Sequence, residues 1–82
     1  FQNYPNPFNP ETLINYELPT QSQVVLRIYN LLGQETATLI NEIQPAGRYA
    51  VAWDASGMPS GIYFYRLITP SSLEVRKMLL LR

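Results

Sequence analysis

The chain contains no cysteine and no histidine in 82 residues. No disulfide can staple it, and without either residue a zinc site of ordinary type is excluded. No apolar run approaches the ~20 residues a membrane helix needs, so no transmembrane segment is expected. No signal peptide is visible at Phe1-Gln2-Asn3, which lacks a cationic start and an apolar stretch. An excess of charge is missing too. Six basic residues balance six acidic ones, which leaves little electrostatic reason to bind nucleic acid or a membrane surface.

Folding must therefore come from packing, and 46% hydrophobic content supplies the material. The length predicts one domain over residues 1–82, with a thin margin of stability. The abrupt start in a Pro-rich segment suggests a domain cut from the end of a longer protein. The stretch Gly61-Ile62-Tyr63-Phe64-Tyr65-Arg66-Leu67 reads as the central strand. β-branched and aromatic residues fill it, and side chains alternate across a strand. Arg66 marks one face as wet, so Tyr63, Tyr65 and Leu67 are assigned to the core.

Other segments show the same period. Thr12–Leu18 places Ile14, Tyr16 and Leu18 inward; Gln23–Asn30 places Val24, Leu26 and Ile28 inward. Asn30-Leu31-Leu32-Gly33 carries turn chemistry, with Gly33 suited to a positive φ. Gln34–Ile40 is a strand of weaker pattern. Arg48–Trp53 alternates with Tyr49, Val51 and Trp53 inward. Leu73–Leu81 is the last strand, and its Leu79-Leu80-Leu81 run breaks the alternation. That break predicts burial on both faces or an edge that waits for a partner. The Pro-rich start, Tyr4-Pro5-Asn6-Pro7-Phe8-Asn9-Pro10, forbids helix and is expected to lie extended along a sheet edge with Tyr4 and Phe8 as anchors.

Short strands with turns every 8–12 residues predict an all-β fold, an immunoglobulin-like antiparallel β-sandwich of about seven strands. Tyr63 falls where such folds place a corner tyrosine. The cysteine pair of antibody domains is missing, and Trp53 lies too late in the chain, so the likeness is to the architecture only. The expected core is Ile14, Tyr16, Leu26, Ile28, Tyr49, Val51, Trp53, Tyr63, Tyr65 and Leu67. Ala46-Gly47-Arg48-Tyr49 and Ser60-Gly61-Ile62-Tyr63 read as two similar strand entries.

No catalytic constellation stands out. The six carboxylates fall singly on outer faces or in loops, so no enzyme activity and no cofactor or metal is expected. Asp54 is expected to cap its own turn rather than join Asn6 or Asn9 in a calcium site. An exposed Tyr29 offers a face for a sugar or a base, but a cross-strand pair is its usual role.

The order of motifs resembles the type A C-terminal sorting domain of the type IX secretion system of Gram-negative bacteria. The matching residues run from Asn3-Tyr4-Pro5-Asn6-Pro7-Phe8-Asn9-Pro10 through Thr12–Pro19 to Ile28-Tyr29-Asn30-Leu31-Leu32-Gly33-Gln34. They continue with Ala46-Gly47-Arg48-Tyr49, Trp53-Asp54, Ser60–Leu67 and Lys77-Met78-Leu79-Leu80-Leu81-Arg82. Thr36 and Ala55 depart from the family pattern. The resemblance implies a secretion signal that directs an upstream cargo domain of the same chain through the outer-membrane translocon, to the cell surface or medium via the periplasm. It implies the translocon and a sorting peptidase as partners, with cleavage and attachment to anionic lipopolysaccharide in some members. Recognition is placed at Lys77, Met78, Leu79, Leu80, Leu81 and Arg82. Pro5, Asn6, Pro7, Phe8, Gly33, Gly47, Tyr49, Trp53, Gly61 and Tyr63 are read as structural. Two alternatives remain: an immunoglobulin-like structural module akin to flagellar-hook capping proteins, or a carbohydrate-binding accessory of an extracellular enzyme. An ending at Arg82 directly after a completed strand favours sorting.

Overall fold

A computed structural model of the chain describes residues 5, 7 and 9–81. The described residues form six strands: β1 Glu11–Leu18, β2 Ser22–Asn30, β3 Glu35–Gln44, β4 Gly47–Asp54, β5 Gly61–Thr69 and β6 Ser72–Leu80. β1 and β4 make a two-stranded sheet; the other four make a second sheet in the order β3-β2-β5-β6, with every pairing antiparallel. β5 is thus a central strand of the larger sheet, as its composition predicts.

The described residues supply six of the about seven strands expected, in the antiparallel sandwich-like arrangement expected. The Pro-rich segment adds no strand where it is described. A proline has no N–H to give a ladder. It can still accept, and the Pro5 carbonyl takes a bond from the Thr12 hydroxyl at 2.9 Å, while the Pro10 carbonyl takes one from the Ala55 amide at 2.9 Å. The expected anchors Tyr4 and Phe8 lie outside the described residues.

The core lies between the sheets. Thr12, Ile14, Tyr16, Leu18 and Trp53 of the small sheet face Val24, Leu26, Ile28, Tyr63, Tyr65, Leu67, Met78 and Leu80 of the large one. Trp53 meets Tyr63 edge to face with ring centroids 5.4 Å apart. Tyr49 and Val51, expected in the core, are only half-buried and pack against it. Among the described residues their strand has a neighbour on one side only, β1, so its side chains lie at the flank of the core. Tyr49 instead stacks on its register partner Tyr16 at 5.2 Å. A link between sheets closes this end: the Tyr16 hydroxyl donates to Oε1 of buried Gln44 on β3 at 2.5 Å.

β3 runs to Gln44, four residues past its expected end at Ile40. Its register on β2 slips twice, leaving Thr36 and Leu39 without a partner residue opposite. Each such bulge inverts the inside–outside parity of the strand. Two of them explain why β3 reads weakly as an alternating sequence. The Thr36 hydroxyl donates to the Ile28 carbonyl at 3.3 Å, so this departure from the family pattern is seated at a bulge.

Burial makes the tyrosines sensitive to alkali. Tyr65 is 1% exposed, and its hydroxyl is pushed up to about 12, by burial first, with Glu74 adding and Arg76 opposing. Tyr16 is also raised, chiefly by burial, against the lowering effect of its bond to Gln44. The unfolded value is near 10. The folded state therefore holds the Tyr65 proton more tightly. That contribution is complete below about pH 10 and is lost as pH rises toward 12, at ~1.4 kcal/mol per pH unit. Urea unfolding at pH 8 and pH 11 should show stability lower by about 1–2 kcal/mol at the higher pH. Equal midpoints at the two pH values would contradict the buried state of Tyr65.

Candidate functional site

β6 closes the large sheet at one end. Its pairing with β5 runs from Thr69↔Ser72 to Gly61↔Leu80. Side chains alternate across it. Met78 and Leu80 are fully buried, while Leu73, Val75, Leu79 and Leu81 are exposed, at 62%, 45%, 37% and 49%. Lys77 is exposed with them. The terminal run that breaks the alternation is therefore split. Met78 and Leu80 complete the core, and Lys77, Leu79 and Leu81 face outward. Among the described residues no strand lies on the far side of β6. Arg82, also assigned to recognition, lies outside the described residues.

The residues read as structural serve different local tasks and do not converge on one site. Gly33 takes φ +83 in the β2–β3 turn. Asn30 organises that turn: its side-chain oxygen accepts the amides of Leu32 at 2.9 Å and Gln34 at 3.0 Å. Gly47 and Gly61 open β4 and β5 with φ +150 and +145, a region that only glycine enters without strain. Each is followed two residues later by a tyrosine that reaches back. The Tyr49 hydroxyl donates to the Pro45 carbonyl at 2.5 Å, and the Tyr63 hydroxyl to the Pro59 carbonyl at 2.7 Å. Pro-small-Gly-x-Tyr is thus one strand-entry device used twice. The prolines at 45 and 59 were the legible signal that completes the Gly-x-Tyr echo. Trp53 is in the core, and Pro5 is bonded through its carbonyl, whereas Pro7 is exposed. Asn6 and Phe8 lie outside the described residues.

The other candidates of the sequence find structural partners. Asp54 caps its own turn, its carboxylate accepting the Ser56 hydroxyl at 2.5 Å and the Ser56 amide at 2.9 Å. Those two bonds hold the Asp54 carboxyl below its usual value. Tyr29 is half-buried, opposite Phe64 on β5, and the Arg66 guanidinium lies 4.8 Å from its ring centroid. A cation already occupies the face that a sugar would stack on. Among the described residues no three acidic side chains stand together as a metal site.

The family model described as secretion system C-terminal sorting domain matches residues 2–81. The chain belongs to that family. The match covers essentially all of the sequence, which agrees with motifs spread from the Pro-rich start to β6. No curated protein and no solved structure matches the chain. The sorting domain is the C-terminal signal for type IX secretion, and it marks its carrier for the cell surface or for release. It works with the type IX machinery and an upstream cargo. No helix of the described residues is long and apolar enough to cross a membrane.

Proposed function

We propose that the type IX machinery reads this sorting domain on β6, through the outward side chains of its C-terminal half. The observation that carries the reading is the division of labour along β6. Met78 and Leu80 are locked in the core, and this fixes the register in which Lys77, Leu79 and Leu81 face outward. Outward side chains held in a fixed array let a docked partner discriminate, and charges beside them set its register. Lys77 and Arg82 place cations at the two ends of the Met78–Leu81 apolar run. Residues 1–82 act as one unit in this reading, with no chemistry of their own. A sorting peptidase of the same system is the second partner and acts on the cargo side of the domain.

The test is Leu79→Asp with Leu81→Asp in a cargo fusion. Both side chains are exposed, and surface substitutions of this kind change stability by only about 0.5 kcal/mol each. The melting curve of the variant should stay within a few degrees of the parent. Export should fall, with cargo held in the periplasm. A folded variant exported at the parental level would contradict recognition at β6.

A further inference from the structure

We infer that the outer face of the large sheet, beyond the β6 end, is a docking surface for a protein surface of the secretion machinery that carries carboxylates among apolar side chains. This rests on the reading of the domain as a signal recognised by that machinery, and it enlarges the recognised area from one strand to three.

The register places the outward residues of β2, β5 and β6 in rows across the sheet. Val25, Ile68 and Leu73 form the first row; Arg27, Arg66 and Val75 the second; Tyr29, Phe64 and Lys77 the third. Ile62 and Leu79 follow beyond. Leu73, Val75 and Leu79 are exposed, and Val25, Ile62, Phe64 and Ile68 are half-buried, so apolar side chains stand in every row around the central Arg27 and Arg66. Apolar side chains grouped on one face and set with polar residues mark an interaction surface.

Charge says what fits it. Among the described residues this face carries Arg27, Arg66 and Lys77 against one side-chain carboxylate, Glu35, which lies 3.6 Å from Arg27. The opposite face of the sandwich carries Glu11, Glu17 and Asp54 against Arg48, which pairs with Glu17 at 3.1 Å. A chain that is neutral overall is thus split into a basic face and an acidic face. The basic face is complementary to acidic groups, and such complementarity steers encounter and rejects wrong partners.

The arrangement favours a protein over a lipid surface. A membrane-binding face sinks an apolar patch and keeps its cations for the headgroups around it. Here the cations occupy the two middle rows, with apolar rows at both ends. Arg27 and Arg66 are register partners at the centre. Fixed carboxylates set among apolar side chains match that layout. Mobile headgroups do not.

The experiment compares cargo fusions in a type IX–competent bacterium, with melting of each purified domain beside them. Arg27→Glu with Arg66→Glu should reduce export by about tenfold or more, while Arg27→Lys with Arg66→Lys keeps it near parental. β2 lies two strand spacings from β6, about 10 Å away, so a partner that reads only β6 would not sense Arg27. Parental export of the folded Glu double variant overturns the inference. Equal loss in the Lys variant also overturns it, because the sign of the charge would then not be what is read. Should the Glu double variant unfold, Arg66→Glu alone replaces it, with the same two outcomes. Sedimentation of the parent domain with phosphatidylglycerol vesicles, abolished by Arg66→Glu, would assign the face to a membrane and overturn the protein partner. The Leu79→Asp, Leu81→Asp fusion separates the two proposals. If it fails while the arginine variants are exported normally, recognition at β6 stands and the wider face does not. If the arginine variants alone fail, the face stands and recognition at β6 does not.

Discussion

Replacing Trp53 with alanine is expected to lower the melting temperature of the domain by about 12–40 °C. The indole is 5% exposed, closes the core at the end of β4, and holds Tyr63 edge to face. Truncating a buried Trp costs about 3–5 kcal/mol, because the cavity it leaves is only partly refilled. At roughly 0.05–0.15 kcal/mol per residue, an 82-residue chain holds roughly 4–12 kcal/mol in all. No disulfide or zinc site exists to limit the loss, since there is no cysteine and no histidine. Differential scanning calorimetry of the variant checks it directly. A transition within a few degrees of the parent would contradict the burial of Trp53.

Removing residues 77–82 should unfold the domain, not merely silence the signal. The deletion takes Met78 and Leu80 from the core, both fully buried, and strips β5 of its neighbour along Gly61–Phe64. Two large-to-small losses of this kind amount to about 4–10 kcal/mol, comparable with the whole stability of a small domain. The purified truncate should show disordered-chain circular dichroism at 25 °C (about room temperature). A truncate that keeps its β spectrum and its melt would mean that β6 is dispensable for the core. Loss of export on truncation is therefore poor evidence of recognition, whereas outward substitutions at Leu79 and Leu81 isolate it.

The strands were legible wherever the period was strict. β1, β2 and β5 alternate without interruption, and their inward residues are the buried ones. Legibility failed where a physical event breaks the period. At β3 the two bulges invert parity, so a sequence that pairs along its whole length reads as a weak strand ending early. At Leu79-Leu80-Leu81 three identical side chains hide which one is buried. Only the antiparallel register with β5 assigns Leu80 to the core. Tyr49 and Val51 have the right phase and a partly open environment, because sheet width is not written in local alternation.

The proposal of recognition at β6 draws on family resemblance, and the chemistry proposed for it is legible only with β6 seen beside β5 in the large sheet. The split of charge between the two faces is invisible in a chain with six cations and six anions. It depends on which strands share a sheet. The Gly-x-Tyr echo was visible in sequence, but its function was not. The hydroxyl bonds to the Pro45 and Pro59 carbonyls need the turn geometry to appear.

The most direct measurement is transplantation. Residues 1–82 are fused to the C-terminus of a folded periplasmic reporter in a type IX–competent bacterium, and the reporter is assayed at the surface, in the medium and in the periplasm. A parallel strain lacks the translocon. Reporter is expected outside the cell in the competent strain and in the periplasm of the other. Intact, folded reporter that stays in the periplasm of the competent strain would contradict it, as would export that does not depend on the translocon.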